Sequence, residues 1–488
     1  MPAPLSLVED LCAALRGADV SYCHWKSNDM LHLSASGEND LDLLVDRRDL
    51  PTFLAVLAAH GFKQAVPRRR GRRVPGVVHF YGLDLPTGTL VHVDAQAQLV
   101  LGDDTTKNVR LPLERAYLAS CTHGPLFPVP APEFELAVLV VRLALKHGTW
   151  DAAAFGLAPL RAAERRELEY LAARADPDRL RQVVAAHLPQ IGWADWSRYY
   201  RALLDGDPLP SCLVAGHAVV RGAADLMRRR PAVDTALRCG RRVQWGVGHV
   251  AFGRRNTKRL VAGGSVVAVV GGDGAGKSTL VNGLAGWLNG PFDTHVVHLG
   301  KPPRGPANLV VKGGILAARR AGLLPDWLPN YPTPMEHRDR FPGRAWLMWQ
   351  LVTASDRRRQ HRRVRRLAGR GSLVVCDRFP LDQVTLMDGA RTRWVPTAGA
   401  PGIARRLVEA EQRAYTSIAP PDLLLVLRVD PDTAVARKVG VDPAAFVRPR
   451  SAEVFAADWG ATGAVVLDAD RPAADVLAEA RAVVWAGL

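Results

Sequence analysis

The chain has 488 residues, of which 48% are hydrophobic, 23% charged and 7% aromatic. This length exceeds one ordinary domain, so a single small binding module is excluded, and the composition is globular rather than disordered or fibrous. There are 9 lysines and 55 arginines against 48 acidic residues, which gives a net charge of +16. An arginine excess suits phosphate groups on nucleotides, nucleic acids or lipids, although genomic base composition can also enrich arginine.

The cysteines and the N-terminal segment bear on the cellular compartment. The six cysteines contain no CxxC pair, which argues against a zinc ribbon or a disulfide framework. Glu9 and Asp10 interrupt the apolar pattern of the N-terminal segment, which is not typical of a signal peptide. No apolar run is long enough to predict a membrane-spanning helix. We therefore expect a cytoplasmic protein.

The first half of the chain shows two textures. Residues 1–130 alternate short apolar runs with turns, and LDLLV (41–45), VVHFYGL (77–83) and LVHVD (90–94) are typical of strands. This pattern predicts an α+β domain. Residues 131–260 repeat apolar residues at three- and four-residue spacing and then become basic. They predict a helical extension followed by a linker.

Residues 261–488 have a different texture, with short runs that are apolar throughout and separated by helical segments. Strands of this kind are buried on both faces, so they predict a parallel sheet covered by helices, a three-layer α/β domain. The four predicted strands are VVAVV (266–270), LVVCD (373–377), LLLVLRV (423–429) and AVVLD (464–468).

A glycine-rich segment directly follows the first of these strands. GGDGAGKS (271–278) fits the pattern GxxxxGK[ST] and precedes an amphipathic helix, which is the context that a phosphate-binding loop requires. Its glycines let backbone N–H groups turn inward around phosphate oxygens. Lys277 would reach the β- and γ-phosphates, and Ser278 would ligate magnesium. The residues expected to bind the nucleotide are Gly271, Gly274, Ala275, Gly276, Lys277, Ser278 and Thr279.

This segment, with Asp273 four positions before the lysine, resembles the loop of the thymidylate kinases, a branch of the nucleoside monophosphate kinases. The resemblance covers about residues 265–488 and implies a P-loop kinase that uses ATP and Mg²⁺. The implied reaction transfers the γ-phosphoryl group to a nucleoside monophosphate, with dTMP as the default acceptor. Three further stretches are similar to the family in the same order: 354–379, 420–438 and 465–480.

The resemblance also implies roles for single residues. Asp377 ends a predicted strand at the edge where parallel sheets bind ligands, and would hold magnesium together with Ser278. Arg378 would bridge the donor and acceptor phosphates, and Arg357 would bind the acceptor phosphate. Asp273 would contact the acceptor sugar or organise its phosphate. For each of these side chains, an ion pair or a cap without catalytic work is the alternative.

A cation that stabilises the transferred group is expected from the lid, because the glycine-rich segment contains no arginine. Arg437 is the first candidate, and Lys438, Arg448 and Arg450 are the others, against the alternative that all four are solvated charges. The predicted catalytic residues are thus Lys277, Asp273, Arg378 and Arg437.

The departures from the thymidylate kinase pattern concern the acceptor base. The aromatic residue that stacks on thymine in that family is replaced by Thr353, and the segment 300–306 replaces an Arg-Glu-Pro-Gly-Gly loop. Trp346 and Trp349 are alternative stacking surfaces, or they belong to the core. Another acceptor, such as a sugar of cell-surface metabolism, therefore stays open. A regulatory NTP-binding protein is the alternative from a different class.

Acidic residues in the first segment have a spacing of their own. Asp40 and Asp42 stand two apart at the start of a predicted strand, so they project to one face, and Asp94 begins or ends another strand about fifty residues later. With Lys26-Ser27 upstream, they resemble the nucleotidyltransferase superfamily, in which such acids hold two metal ions. An active transferase, an inactive binding fold and an unrelated acid cluster are the three alternatives.

Two arginine runs, at 68–73 and 357–366, raise the question of nucleic-acid binding. No aromatic residues interleave with them, so stacking on single-stranded bases is not expected. A basic stretch at 228–259, which includes Trp245 and Phe252, would suit a membrane surface as an alternative. The expected partners are nucleotide substrates, with a homodimer as one option and no specific nucleic acid.

Overall fold

The structure is a computed structural model that describes residues 3–68, 73–252, 257–300, 302–322, 343–393, 395 and 402–488. The chain divides into two compact units, Met1–Asn256 and Thr257–Leu488. Within the described ranges, no helix combines the length and the apolar character needed to cross a membrane. Parts of the segments discussed above lie outside the described residues: 69–72, 253–256, Lys301 and the side chains of Trp245 and Phe252.

The first unit contains a mixed sheet. Its strands lie in the order β1-β2-β5-β4-β3, with β2 and β5 parallel and the other neighbours antiparallel. The three strands predicted for residues 1–130 are confirmed as β2, β4 and β5. The elements are β1 (Tyr22–His24), β2 (Leu41–Val45), β3 (Lys63–Pro67), β4 (Val77–Asp84), β5 (Thr89–Gln96), α1 (Ser6–Gly17), α2 (Leu31–Ala35) and α3 (Leu50–Ala59).

A helical layer completes the first unit. Its central helix is α5 (Pro132–His147), whose acidic first turn and basic last turn match the helix dipole. This helix shares one apolar core with Trp25 and Leu44, so the predicted helical extension packs into the interior of the first unit. The other elements are β6 (Leu99–Leu101), β7 (Val109–Leu111), β8 (Thr122–His123), β9 (Pro128–Val129), α4 (Glu114–Ala119), α6 (Trp150–Ala154), α7 (Ala162–Ala172), α8 (Pro177–His187), α9 (Trp193–Asp205), α10 (Leu209–Gly222) and α11 (Pro231–Phe252).

The second unit contains a parallel five-stranded sheet in the order β12-β13-β11-β14-β15. All four predicted strands are confirmed, and β11 is buried on both faces, as expected for a strand covered by helices. The elements are β10 (Lys258–Leu260), β11 (Val266–Gly271), β12 (Thr294–His298), β13 (Leu373–Asp377), β14 (Leu423–Arg428), β15 (Val465–Asp468), α12 (Lys277–Leu288), α13 (Pro306–Arg320), α14 (Arg344–Ala368), α15 (Gly402–Thr416), α16 (Pro431–Ala436), α17 (Ala444–Ala456) and α18 (Ala473–Gly487).

The strand order fixes where the second unit can bind a ligand. The chain leaves β11 toward β12 and β13 on one side and later returns on the other side as β14. In open parallel sheets, a crevice forms at the carboxyl ends of the strands where the order reverses in this way. The segments that follow β11, β13 and β14 therefore meet at one edge of the sheet.

Two glycines of the second unit differ sharply in the space around them. A Cβ added at Gly264 would overlap the carbonyl oxygens of Ala368 and Ser372, whereas one added at Gly286 would meet nothing within 4 Å. We expect Gly264→Ala to lower the free energy of unfolding by roughly 1–3 kcal/mol or more, because backbone has to move. Gly286→Ala, in α12, should instead raise it by roughly 0.5–1 kcal/mol. Equal denaturation midpoints of the two variants would contradict this packing.

Candidate functional site

A tight turn between β11 and α12, here called the glycine loop (residues 271–278), lies at the carboxyl edge of the parallel sheet. Gly274 and Gly276 have φ values of 85° and 84°, in the left-handed region that favours glycine. A Cβ on Gly274 would also lie 2.5 Å from the carbonyl oxygen of Ala434. The turn brings the N-terminus of α12 to the sheet edge, where its free N–H groups attract an anion.

Lys277 is the first residue of α12 and is buried. Its Nζ donates a hydrogen bond to the carbonyl oxygen of Gly272, at 2.6 Å. Burial and the nearby Arg378 charge lower the pKa of Lys277 to about 8, although the carboxylate of Asp273 opposes the shift. Ser278 and Thr279 follow on the first turn of the helix and are exposed.

Three cations surround the buried carboxylate of Asp273. Arg378 Nη2 donates to Oδ1 at 2.9 Å, Arg450 Nη1 donates to Oδ2 at 2.9 Å, and Lys277 Nζ lies 3.9 Å from Oδ1. Burial alone would raise the pKa of Asp273, but the Arg450 hydrogen bond and the charges of Lys277 and Arg378 hold it below its ordinary value. Asp273 is therefore an internal counter-anion for three converging cations.

Asp377 and Arg378 end the neighbouring strand β13. The backbone of Arg378 has a φ of 64°, an unusual value for a residue other than glycine. The Nη1 atom of Arg378 lies 3.6 Å from Asp388 Oδ2. Asp377 Oδ1 is buried and accepts no hydrogen bond from any described residue. The other oxygen, Oδ2, lies 3.9 Å from His298 Nε2. Arg378 thus supplies a cation to Asp273, and Asp377 supplies a buried oxygen, Oδ1, that has no hydrogen-bond donor among the described residues.

Arg357, the residue expected to bind an acceptor phosphate, is buried on α14 and fully engaged. Its Nε donates to Leu299 O at 3.2 Å, and its Nη2 donates to Gly300 O at 2.9 Å. Its Nη1 donates to Asp388 O at 3.0 Å and to the hydroxyl of Tyr415. Every nitrogen of the guanidinium therefore has a protein acceptor, and the side chain holds the segment after β12 in place.

The arginines predicted to act from the lid differ in what they contact. Arg437 Nη1 donates to the backbone oxygen of Ala469 at 2.9 Å, and Arg448 pairs with Asp432 while half-exposed to solvent. Arg450, on α17, is the arginine of this group that reaches the glycine loop. Its guanidinium carbon lies 3.4 Å from the ring centroid of Phe446. The arginine preferred from the sequence, Arg437, does not contact the loop.

A cavity of about 530 Å³ opens beside these residues. Seven cations and three acids line it, so its lining is strongly positive. Arg304 and Lys312 are the lining cations with no hydrogen bond or ion pair to the described residues. Trp349 lines the cavity, whereas Trp346 is buried in a small apolar core with Leu347. The remaining charged groups are Asp273, Arg357, Arg378, Asp388, Arg391, Lys438, Asp442 and Arg450.

The three acids predicted to bind metal in the first unit each face a different basic side chain. Asp42 and Asp94 are register partners on the parallel strands β2 and β5. Asp42 Oδ1 lies 2.9 Å from Lys26 Nζ, whereas Asp40 Oδ1 lies 2.7 Å from His92 Nδ1. Within the described residues, no group of three or more His, Cys, Asp or Glu side chains is arranged to hold a metal ion.

Sequence reasoning missed Asp388, Tyr415 and Ser451. Asp388 contacts both Arg357 and Arg378, and the hydroxyl of Ser451 donates to Asp273 O at 2.9 Å. No motif or spacing marks the first two. Ser451 follows Arg450 in the lid segment, which offered the only sequence signal among the three.

Comparisons with known proteins give a limited set of relatives. No protein-family model matches the chain. The chain is 28% identical over 228 residues to a protein of Escherichia coli strain K12 named uncharacterized ATP-binding protein YghR, a match that covers 45% of this chain and 86% of that protein. The protein of the same name from strain CFT073 (O6:H1) matches to the same extent. A second K12 protein, named uncharacterized ATP-binding protein YghS, is 25% identical over 190 residues, or 36% of this chain and 73% of that protein.

The engagement of Arg357 leads to a stability prediction. We expect Arg357→Ala to lower the free energy of unfolding by about 3–5 kcal/mol, because it leaves three backbone carbonyl groups without their side-chain donor and removes one of the two arginines beside the buried Asp388 carboxylate. Arg358→Ala is the matched control, since the adjacent side chain has no ion pair with the described residues. Chemical denaturation of the full chain measures both. An unchanged midpoint for Arg357→Ala would show that the guanidinium does not hold the site together.

Proposed function

We propose that the second unit is an ATP-dependent phosphotransferase that acts on a small phosphorylated acceptor, with a nucleoside monophosphate as the first candidate and dTMP as the default. The observation that carries the proposal is the convergence of Lys277, Arg378 and Arg450 on Asp273, in the glycine loop and beside a strongly positive cavity. The relatives are named as ATP-binding proteins, which supports ATP as the donor. The acceptor rests on the resemblance to thymidylate kinases and on the charge of the cavity.

On the donor side, the triphosphate would lie against the N–H groups of the glycine loop and the N-terminus of α12. Lys277 would exchange its bond to Gly272 O for a phosphate oxygen, which is a stronger acceptor for an ammonium group than a neutral carbonyl is. Because Lys277 is buried, little water competes with the phosphate for its charge. The loop thus supports the binding of the terminal phosphates.

Ser278 and Asp377 are the residues proposed to hold Mg²⁺. Asp377 supports this assignment because its Oδ1 is buried without a hydrogen-bond donor among the described residues, and carboxylate oxygen is a preferred ligand of this cation. Ser278 is exposed on the first turn of α12 and adds a hydroxyl oxygen. When bound, Mg²⁺ neutralises charge on the β- and γ-phosphates.

The transferred phosphoryl group would meet Arg378 and Arg450. Both arginines are already held at the loop by Asp273, so they need little rearrangement to reach a second anion there. A phosphoryl group in transfer carries more negative charge than one carboxylate, and guanidinium groups bind its oxygens in pairs. The counter-anion therefore keeps the cations in position before the substrates bind.

On the acceptor side, Arg304 and Lys312 have no partner among the described residues, so they are better placed to bind a phosphate than Arg357, whose donors are all engaged. Thr353 supplies no stacking ring, and its hydroxyl donates to Trp349 O at 2.8 Å. Trp349 and Phe446 provide the aromatic surface of the cavity instead. The acceptor is thus recognised first by its phosphate and second by flat apolar contact.

An acceptor screen tests the proposal. The full chain is incubated with ATP, Mg²⁺ and a panel of nucleoside monophosphates and sugar phosphates, and release of ADP is measured. We expect release that depends on one class of acceptor and falls roughly 100-fold or more in Lys277→Ala, because a positioned cation is lost from the transferred group.

Arg450→Ala and Arg448→Ala form the matched pair for this assay. They remove equal side chains from one helix, but only Arg450 contacts Asp273. We expect a large loss of turnover in the first and near wild-type turnover in the second. ATP binding that no acceptor converts into turnover would overturn the kinase proposal and favour a regulatory nucleotide-binding protein.

The lowered pKa of Lys277 gives a pH dependence. In the free protein this amine is charged below about pH 8 and neutral above it, whereas phosphate oxygens favour the charged form. Binding of ATP should therefore take up a proton above pH 8, and the dissociation constant should rise by about tenfold for each further pH unit. Calorimetry in buffers of different ionisation enthalpy measures the uptake. In Lys277→Ala, uptake in this window should disappear; if it persists there, another group titrates.

A further inference from the structure

The first unit contains a cavity of about 250 Å³ that the proposed function does not use. It lies among β2, the turn after β6, and helices α5 and α7, and Lys26, Lys107 and Arg142 are among its lining residues. Five cations and five carboxylates line it in total. The distribution of ion pairs among them decides which kind of ligand the cavity can hold.

Every carboxylate that lines this cavity has a cationic partner within 4.0 Å. Asp42 pairs with Lys26 at 2.9 Å, and Glu167 pairs with Arg142 at 2.5 Å. Glu167 also accepts the backbone N–H of Ser27 at 2.8 Å. A cation that entered the cavity would therefore have to displace a lysine or an arginine to find a ligand.

Lys107 is the exception among the lining cations, because its ammonium group has no hydrogen bond or ion pair with any described residue. Burial lowers its pKa, and the charges of Lys26 and Arg142 act in the same direction. Its backbone is also strained, with a φ of 46°. The turn is tight, since a Cβ on Gly102 would lie 2.9 Å from Asn108 N.

Metal ions do not fit this site. The resemblance to nucleotidyltransferases implies metal binding by Asp40, Asp42 and Asp94, yet Lys26 Nζ lies on Asp42 and His92 Nδ1 lies on Asp40. Asp94 faces His79 Nδ1 at 3.7 Å and is not among the cavity-lining residues. The ammonium of Lys26 supplies the positive charge that a divalent ion would otherwise bring to Asp42.

We propose that this cavity binds the phosphate group of a small phosphorylated molecule without a divalent metal ion, with Lys107 as its main ligand and Lys26 and Arg142 beside it. A phosphate satisfies the unpaired ammonium and shares the two paired cations, which retain their carboxylates. The volume suits a phosphate with a compact organic group and is below the usual range of pockets that enclose a drug-sized ligand.

Calorimetric titration tests the proposal on the full chain carrying Lys277→Ala, Arg304→Ala and Lys312→Ala, which together weaken phosphate binding at the glycine loop and in the cavity of the second unit. The probes are inorganic phosphate and ribose 5-phosphate, each titrated in the presence of EDTA and again in the presence of Mg²⁺. We expect one metal-independent site for the ester. Binding of both probes shows that the phosphate suffices, and preference for the ester shows that the organic group contributes.

The decisive variant is Lys107→Gly, because it removes the whole side chain with its amine and glycine adopts a φ of 46° without strain. We expect its melting temperature to be no lower than that of the parent and its affinity to fall by at least about tenfold, as for loss of one charge-assisted hydrogen bond. Lys63→Ala, on β3 and away from the cavity, is the control that should bind normally.

Asp42→Asn separates this proposal from a metal site. Loss of the carboxylate frees Lys26, so phosphate affinity should stay the same or increase. If Asp42→Asn abolishes binding, or EDTA does so in the parent, the site depends on metal and the proposal is wrong. The absence of any saturable binding by the parent, or full binding by Lys107→Gly, would also overturn it.

Discussion

The second unit depends on the carboxylate of Asp273. Lys277, Arg378 and Arg450 reach this one group from α12, from the end of β13 and from α17. Without it, three cations would face one another in a buried space, where like charges repel much more strongly than in water. The hydroxyl of Ser451 also donates to the backbone oxygen of Asp273. One residue of the glycine loop therefore holds the end of β13 and helix α17 together.

Each unit contains a cavity lined by both cations and acids, but the ratio of cations to acids differs between the two cavities. The cavity of the second unit has more cations than acids, whereas that of the first unit has equal numbers and one lysine without a partner among the residues that the structure describes. Backbone strain also occurs at these cavities. Of the four described non-glycine residues with a clearly positive φ, three line them: Arg378 in the second unit, and Ser27 and Lys107 in the first. Such strain persists where the surroundings over-determine the conformation, and it is concentrated at sites that bind ligands.

The strands and the glycine loop could be predicted because the information for them is local. Five-residue runs at 266–270 and 373–377 mark β11 and β13, and one contiguous motif marks the loop. Ion pairing could not be predicted, since Arg357 is held by Asp388 and Tyr415, which lie 31 and 58 residues away with no motif around them. The arginine beside the loop could not be identified either, because sequence order does not show which turn of the segment 437–450 faces it. Arg450 lies there, whereas Arg437 does not contact the loop.

The cations that line the cavity of the second unit fall into those with partners and those without any among the described residues, and this division bears on the proposed acceptor site. A guanidinium with all its nitrogens bonded to carbonyl and carboxylate groups, as in Arg357, has to break those bonds before it can bind a substrate. Arg304 and Lys312 carry no such cost, because no described residue is paired with them. The lining cations that could bind a phosphate without this cost thus lie on α13 and in the segment before it. Helix α14 holds the start of that segment in place, because its Arg357 donates hydrogen bonds to Leu299 O and Gly300 O.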